Sequence, residues 1–473
     1  YLRSASQTRR TDRHTGDFSM FRVYASKDNR PAAYSPQNVP YRPKKHFSIS
    51  TKGVKEGDFT MIYGFPGNTQ EYILSDAVAY IAERSDPAKI AIRTGRLDII
   101  TKAQESDPAL RIHYAAKHAS IANAWKKWQG EALGIDRRGT VAAKFDYETQ
   151  FGLWSVGRPE YAGVVMGLRV EYDRIMDAYF AYEITRETLS TLPAAYTPEE
   201  RAEECFARRK FAEQALWRHA FREYGRCPKV YRTPSYAEGM ARYKSPEAYA
   251  DALFEAVWEG SDSVTMQPAV RLREETKRML DHISWMLGTK SLRNLNSKIL
   301  NELYTTYIKG LREWDRERAF YPDANLTLRV AYGSVAGYEY ADGEYHKPQT
   351  TLDGIIAKDN PEIYDYDIPQ SLRDLYASKN YGRWGTVIDG RRTVPVCFLA
   401  TNHTTGGNSG SPVLNAGGEL IGINFDRTWR STMSDIAYDP AICRNIAVDI
   451  RYVLFVVDRV GGAGYLLKEM TLK

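Results

Sequence analysis

The sequence has no run of about eighteen apolar residues, and this absence excludes a transmembrane helix. Its net charge is only +6 over 473 residues, which is too small to indicate nucleic-acid binding. Residues 1–10 lack an apolar core, so no signal peptide is expected in the chain. Cysteine is scarce, and no CxxC spacing occurs, so a zinc site is not expected.

The four cysteines leave their redox state open. Cys205 and Cys227 lie in one helical region, and Cys397 and Cys443 lie in one β region. In an oxidising compartment they can form two disulfides. Four buried free thiols are an equally good interpretation.

The length and the hydrophobic pattern predict more than one domain. Short alternating segments predict strands at 18–24, 46–50 and 58–67, and again at 326–333, 394–400 and 445–458. Between these two regions the apolar spacing becomes helical. The helical segments are 77–83, 110–129, 161–189, 199–221, 246–258, 270–287 and 296–318. We therefore expect a β domain interrupted by a helical insertion.

The most informative segment is Thr404-Thr-Gly-Gly-Asn-Ser-Gly-Ser-Pro-Val413, in which Ser409 stands between glycines. Gly407 permits a turn that directs its own amide N–H and that of Ser409 at one oxygen, which forms an oxyanion hole. Gly410 removes side-chain bulk beside the hydroxyl. The pattern is typical of the nucleophile of a chymotrypsin-like protease; the alternative is a glycine-rich hairpin with an incidental serine.

The residues after Ser409 predict a β-hairpin with an Asn-Ala-Gly-Gly turn at 415–418. In a chymotrypsin-like fold, the second strand of this hairpin forms a wall of the pocket for the residue before the cut bond. A substrate side chain would then contact the residues near 425.

A serine nucleophile needs a base and a carboxylate that orients the base. In this fold their order along the chain is His, Asp, Ser, and Asp17 is the best candidate for the carboxylate. The alternative is an aspartate that caps a turn. His14 is too close to Asp17 to be the base, and His403 stands where this fold lines the specificity pocket. We therefore expect the base upstream of Tyr1, with the first β-barrel incomplete in this chain.

Three features together resemble the bacterial serine dipeptidyl peptidases 7 and 11: Arg-His-Thr-Gly-Asp-Phe-Ser at 13–19, the long insertion, and Gly-Gly-Asn-Ser-Gly-Ser-Pro-Val at 406–413. Further matches cover the chain at 52–67, 122–130, 320–325, 351–361 and 448–452. The resemblance implies an α+β fold: a chymotrypsin-like double β-barrel, its first barrel incomplete here, with a large inserted α-helical cap domain. The domains would be 1–74 (β, with the triad aspartate), 75–325 (helical cap) and 326–473 (second barrel, with the nucleophile).

Site roles follow from this resemblance. It implies that Ser409 is the nucleophile and Asp17 the triad carboxylate, with the amides of Gly407 and Ser409 as the oxyanion hole. Asn123 and Asp426 would bind the free amino terminus of the substrate. A carboxylate at a fixed distance from the nucleophile suits an exopeptidase, because an internal peptide N–H would leave a buried aspartate unpaired.

Arg427 would set the specificity. The position 18 residues after the nucleophile is glycine in family members that prefer apolar residues and arginine in those that prefer acidic ones. A guanidinium can bind a carboxylate bidentately, and an apolar residue would leave its charge unpaired. The expected activity is release of N-terminal dipeptides with Asp or Glu in the second position. The alternatives are an apolar-specific relative and a catalytically inactive peptide-binding protein.

The resemblance also implies peptide substrates, a homodimer, no metal or cofactor, no nucleic-acid partner, and a periplasmic or secreted location in a Gram-negative bacterium. The chain departs from the family at one place. The family carries Asn-Trp-x-Trp-Pro before the Arg-His-Thr-Gly-Asp motif, whereas residues 7–12 read Gln-Thr-Arg-Arg-Thr-Asp. No role is assigned to Thr8 or Arg9.

Overall fold

The structure is a computed structural model that describes residues 13–260, 263–289, 292, 294–363 and 366–473. The chain divides into two compact units. One unit ends at Glu71 and resumes at Asp323–Lys473, and we call it the sheet unit; the other, the helical unit, spans Tyr72–Pro322. Residues 1–12 of the segment assigned to the β part lie outside the described residues.

All strands of the described residues belong to the sheet unit. They are β1 (Tyr24–Ala25), β2 (Val39–Pro40), β3 (Phe59–Gly64), β4 (Arg329–Ser334), β5 (Tyr338–Ala341), β6 (Glu344–His346), β7 (Gln349–Thr351), β8 (Thr386–Ile388), β9 (Arg391–Thr393), β10 (Pro395–Ala400), β11 (Ser411–Leu414), β12 (Leu420–Arg427) and β13 (Asn445–Asp449). Seven of them form one antiparallel sheet in the order β4-β3-β11-β12-β13-β10-β7. The pairs β1-β2, β5-β6 and β8-β9 form separate two-stranded sheets.

The large sheet holds the predicted hairpin near its centre. β11 and β12 pair with Val413 opposite Gly422, and Gly418 in their connection has the positive φ of 71° that such a turn requires. Gly422 has no room for a side chain, because a Cβ there would lie 2.7 Å from the ring of Phe398 on β10. All residues of β10 and β13 are buried, and apolar side chains fill the sheet interior.

The first predicted strands are much shorter in the structure than the sequence pattern suggests. Of the first segment, 18–24, only Tyr24 lies in a paired strand, β1, and Ile49 of the second segment makes only isolated bridges. Phe21 is 87% exposed. Alternating apolar residues form a regular strand only where a neighbouring strand runs alongside them. Residues 48–50 do bond through their backbone to Leu420 and to residues 471–473, but over too few positions for a regular ladder.

The helical unit contains the first eleven α-helices of the described residues. They are α1 (Ser75–Tyr80), α2 (Asp86–Ser106), α3 (Pro108–Arg137), α4 (Thr140–Ser155), α5 (Val164–Glu187), α6 (Pro198–Ala202), α7 (Lys210–Tyr224), α8 (Pro234–Tyr243), α9 (Pro246–Glu259), α10 (Ser263–Met286) and α11 (Lys298–Trp314). A π-helical turn, Ile81–Ser85, joins α1 to α2. Their packed faces bury one large cluster rich in tyrosine, phenylalanine and tryptophan.

The helix expected over 199–221 is interrupted. The capping box of Thr197 and Glu200 starts α6, but Glu203 has an extended backbone, and α7 begins only at Lys210. Phe206, in the interruption, stacks on Trp258 of α9 with ring centroids 4.2 Å apart. Tertiary packing of this ring therefore overrides the local helical pattern.

Three short helices complete the sheet unit: α12 (Leu352–Ile356), α13 (Gln370–Ser378) and α14 (Ile450–Phe455). The last apolar segment is thus a strand followed by a helix, because the Asp449 side chain caps α14 by accepting from the amide of Arg451. None of the described helices combines the length and apolar character needed to cross a membrane. None of the four cysteines is in a disulfide; Cys205 is partly exposed and the others are buried.

Candidate active site

Ser409 lies in a tight loop that leads into β11. Gly407 has a φ of 103°, and a Cβ at that position would lie 2.2 Å from the carbonyl oxygen of Phe65. The Gly67 amide donates to the Gly406 carbonyl at 2.6 Å, so the Phe65-Pro-Gly67 segment packs directly against the loop. Only glycine satisfies both the backbone conformation and the close approach at position 407.

The amides of Gly407 and Ser409 are available to a ligand. Within the described part of the chain neither donates a hydrogen bond, and both residues are exposed. The peptide between them is held in place, since the Asn408 side-chain oxygen accepts from the Thr405 amide at 3.0 Å. Two adjacent amides that lack an internal partner are what an oxyanion hole needs.

The Ser409 hydroxyl donates to the Phe425 carbonyl on β12 at 3.1 Å. Phe425 is the extra residue of a β-bulge, since Asn424 pairs with Ala447 and Asp426 pairs with Ile446. Bulges of this kind redirect backbone groups and side chains next to active sites. Among the described residues no histidine hydrogen-bonds to this hydroxyl.

Arg427 is buried and paired. Its guanidinium donates to the carboxylate of Asp435 through Nη1 at 2.5 Å and Nη2 at 2.8 Å, and Nη1 also donates to the Ser434 hydroxyl at 2.9 Å. The arginine side chain is 10% exposed and that of Asp435 is 9% exposed. Arg427 therefore has an internal counter-charge, so an apolar substrate residue would not leave its charge unpaired.

His403 belongs to the same buried region. Its Nε2–H donates to the Ser434 carbonyl at 2.9 Å, and its Nδ1 lies 3.2 Å from a carboxylate oxygen of Glu71. Burial lowers the pKa of His403 below its ordinary value, while the bond to Ser434 acts in the opposite direction. The histidine thus contacts groups beside Arg427 and makes no hydrogen bond to Ser409.

The remaining predicted site residues lie on exposed positions. Asp426 is exposed on β12, and its carboxylate accepts from the Arg427 amide at 2.8 Å. Asp17 is exposed and follows Gly16, a residue that packs against the ring of Tyr452. Asn123 is exposed on α3 and belongs to the helical unit, whereas the other residues belong to the sheet unit.

Sequence reasoning missed two residues of the site. Asp435 is the counter-ion of Arg427, and Asn424 donates through Nδ2 to the Asn408 carbonyl at 3.1 Å. A search for an acidic residue just after Arg427 could have suggested Asp435. Asn424 carries no such signal, because its partner Asn408 lies 16 positions away in the loop that leads into β11.

In the described part of the chain one group of three side chains has the spacing of metal ligands: His113, Glu203 and Cys205 in the helical unit. Arg209 donates to His113 Nε2 at 2.7 Å, which occupies the lone pair of that nitrogen. His113 Nδ1 lies 3.3 Å from Glu203. The positive charge of Arg209 beside the histidine disfavours a cation here, and the contacts found are those of a hydrogen-bonded group.

The chain is similar to known bacterial peptidases over almost its whole length. It is 40% identical to an Asp/Glu-specific dipeptidyl-peptidase of Capnocytophaga gingivalis over 506 residues, covering 97% of this chain and 70% of that protein. It is 41% identical to one of Flavobacterium psychrophilum, with 97% and 69% covered. A dipeptidyl-peptidase 7 of Phocaeicola vulgatus is 32% identical, again with 97% and 69% covered.

A solved structure shows the same fold. The crystal structure of Porphyromonas endodontalis DPP11 in complex with the dipeptide Arg-Glu superposes with a TM-score of 0.81 at 32% identity, covering 98% of this chain and 71% of that one. The family model named Peptidase S46 matches residues 12–198 and 199–472. With this match, the similar relatives and the serine loop described above, the chain belongs to the Peptidase S46 family.

Proposed function

We propose that this chain is a serine dipeptidyl peptidase that releases dipeptides with Asp or Glu in the second position from free amino termini. One observation carries the proposal. The exposed hydroxyl of Ser409 is bonded to the bulge of β12, and the same strand carries the buried guanidinium of Arg427 two residues further on. Relatives at 40–41% identity are named Asp/Glu-specific dipeptidyl-peptidases, and DPP11 of P. endodontalis has been crystallised with Arg-Glu and Arg-Asp.

Ser409 would attack the carbonyl carbon of the second residue. As it attacks, its proton passes to a base, and the bond to the Phe425 carbonyl is broken. The oxyanion that forms accepts from the amides of Gly407 and Ser409, which are already in place. Loss of one such donor typically costs about 10²–10³-fold in rate. Asp17 would orient the base.

The amino terminus of the substrate would bind Asp426 and Asn123. A carboxylate and an amide oxygen both accept from an ammonium group, and Asp426 stands one residue after the bulge that contacts Ser409. The distance between the Asp426 carboxylate and the Ser409 hydroxyl would then restrict cleavage to the second peptide bond.

The acidic side chain would bind Arg427. In the unliganded chain this guanidinium already has a counter-charge in Asp435. A substrate carboxylate therefore has to share the guanidinium with Asp435. Coulomb attraction to Arg427 and repulsion from Asp435 together would set how strongly the pocket prefers acid.

The finer architecture is part of the same proposal. The seven-stranded sheet would be the second barrel of a chymotrypsin-like double β-barrel whose first barrel is incomplete here, and the helical unit would be a cap. The enzyme would act in the periplasm or outside the cell, and it would be a homodimer. The geometry of the serine loop supports the chymotrypsin-like barrel, whereas the cap, the location and the homodimer rest on the family resemblance alone.

The proposal is tested with the chromogenic dipeptides Leu-Asp and Leu-Leu, each with a free and an acetylated amino terminus. We expect the wild-type protein to cleave free Leu-Asp, and Ser409→Ala to abolish this activity. Preferred cleavage of Leu-Leu would instead identify an apolar-specific enzyme. Binding of these peptides without turnover, and without labelling of Ser409 by a fluorophosphonate, would identify an inactive peptide-binding protein.

A further inference from the structure

Three buried asparagines form a chain of hydrogen bonds that ends at the serine loop. Asn445 Nδ2 donates to Asn424 Oδ1 at 2.9 Å, and Asn424 Nδ2 donates to the Asn408 carbonyl at 3.1 Å. None of the three is more than 3% exposed. They come from β13, β12 and the loop, so the chain crosses two strands of the large sheet.

The orientation of each amide in this chain is determined by its partners. A backbone carbonyl can only accept, so the NH₂ group of Asn424 must face the Asn408 oxygen. The Asn424 oxygen therefore faces β13, and the NH₂ group of Asn445 must face it. The chain consequently has one direction, with every donor pointing toward Asn408.

The bond to the Asn408 carbonyl acts on the oxyanion hole through the peptide plane. The Asn408 C=O and the Ser409 N–H belong to one planar trans peptide and point in opposite directions. A donor that holds this oxygen therefore fixes the direction of the Ser409 N–H. The Gly410 amide donates to the Asn424 carbonyl at 2.7 Å, so Asn424 holds the loop on both sides of Ser409.

The Asn424 side chain is not needed merely to give the buried Asn408 carbonyl a hydrogen-bond partner. The Ser411 amide already donates to the Asn408 oxygen at 3.1 Å. The second bond, from a side chain that is itself hydrogen-bonded, adds a constraint on the rotation of the peptide. It also polarises the peptide, which strengthens the Ser409 N–H as a donor.

We propose that Asn424, oriented by Asn445, is a positioning residue for the oxyanion hole of this enzyme. The inference rests on the proposed function, because it requires Ser409 to be the nucleophile. Asn424 does not touch the substrate. It acts through the Asn408–Ser409 peptide, and its contribution appears when negative charge develops on the substrate oxygen.

The experiment compares the wild-type protein with Asn424→Leu, which keeps the branch at Cγ but removes both the amide donor and the amide acceptor. We expect kcat for Leu-Asp release to fall about 10–100-fold, which is less than the loss of a whole oxyanion donor. KM for Leu-Asp should change by less than about twofold, whereas affinity for a dipeptide aldehyde, which forms an oxyanion with Ser409, should fall in parallel with kcat/KM. Asn445→Ala should give the same pattern with a loss of about 3–10-fold, because it only frees the Asn424 amide to rotate.

Asn402→Leu is the matched control, since Asn402 is equally buried but bonds to the Thr60 and Ala331 carbonyls on β3 and β4. It should lower the melting temperature and leave kcat of the folded protein unchanged. The inference is overturned if Asn424→Leu and Asn445→Ala keep wild-type kcat, or if KM rises by the same factor as the aldehyde affinity falls. If Asn424→Leu does not fold, Asn445→Ala alone decides. A wild-type protein that releases no dipeptide would contradict the proposed function instead.

Discussion

Arg427 and Asp435 form a bidentate ion pair inside the sheet unit, with the guanidinium nitrogens 2.5 Å and 2.8 Å from the two carboxylate oxygens. The residue proposed to recognise acidic substrates thus has an internal partner of the same chemistry as its ligand. A buried arginine without any partner would be strongly destabilising. The pair keeps the pocket folded without substrate, and it makes acid binding a competition between two carboxylates.

Replacing Arg427 with glycine should remove the preference for acid. We expect kcat/KM for Leu-Asp to fall by about 10²-fold or more, since hydrogen bonds to charged groups contribute about 1.5–3 kcal/mol each. Activity on Leu-Leu should be retained or should rise. Steady-state kinetics on both substrates checks this, with Arg430→Gly as the control, because Arg430 pairs with Glu344 and stacks on Tyr340. A retained preference for acid would show that Arg427 does not bind the substrate side chain.

Replacing Asp435 with asparagine should make the pocket more selective for acid. The asparagine still accepts from Arg427 but does not neutralise it, so a substrate carboxylate meets a net positive charge. We expect the ratio of kcat/KM for Leu-Asp over Leu-Leu to rise by about three- to tenfold, corresponding to roughly 0.7–1.4 kcal/mol. A fall in this ratio would mean that Asp435 is needed chiefly to orient the guanidinium.

Replacing Asp426 with asparagine should weaken recognition of the free amino terminus. The ammonium loses its ionic partner, and kcat/KM for free Leu-Asp should fall about 10–100-fold. Acetylated substrate, which has no ammonium, should be unaffected, so the ratio between the two substrates is the readout. Asp389→Asn, an exposed aspartate that pairs with Lys347, is the control. An equal loss on both substrates would contradict the assignment of Asp426.

His403 should make the stability of the sheet unit depend on pH. Burial lowers its pKa from the ordinary value of 6.5, so the unfolded chain takes up this proton at a higher pH than the folded one. The stabilisation is therefore complete above about pH 6.5 and is lost as the pH falls through the lowered folded pKa. His403→Gln keeps a donor toward Ser434 but cannot take up the proton. Between pH 7 and 5 its free energy of unfolding should fall with pH less steeply than that of the wild type, by at most about 1.4 kcal/mol per pH unit. An unchanged slope would show that His403 does not titrate in this range.

The nucleophile loop and its hairpin could be predicted from the sequence because their signals are local. Ser409, the flanking glycines and the turn before Leu420 form one continuous segment, and Gly407, Gly410 and Gly418 have the positive φ that favours glycine there. The contacts of Arg427 and Asn424 could not be predicted in the same way. The contact of Arg427 depends on how the segment after β12 brings Asp435 back beside it. The contact of Asn424 depends on the position of the bulge in the pairing of β12 with β13.

Helix α2, Asp86–Ser106, is not among the helical segments predicted from the sequence. Gly95 and the charged residues around it weaken the helical pattern, since glycine inside a helix is usually unfavourable. In the structure a Cβ at Gly95 would lie 2.2 Å from the ring of His219 on α7, and His219 Nε2 donates to the Ile92 carbonyl at 2.8 Å. The glycine is required by a neighbour 124 residues away, which no local pattern can reveal.

The most direct test of the account is the analysis by mass spectrometry of products from one peptide, Leu-Asp-Ala-Leu-Gly, with a free and with an acetylated amino terminus. We predict that the wild-type protein releases Leu-Asp from the free peptide and leaves the acetylated one intact, and that Ser409→Ala loses this activity. Release of single amino acids, cleavage of the acetylated peptide, or an active Ser409→Ala variant would contradict it.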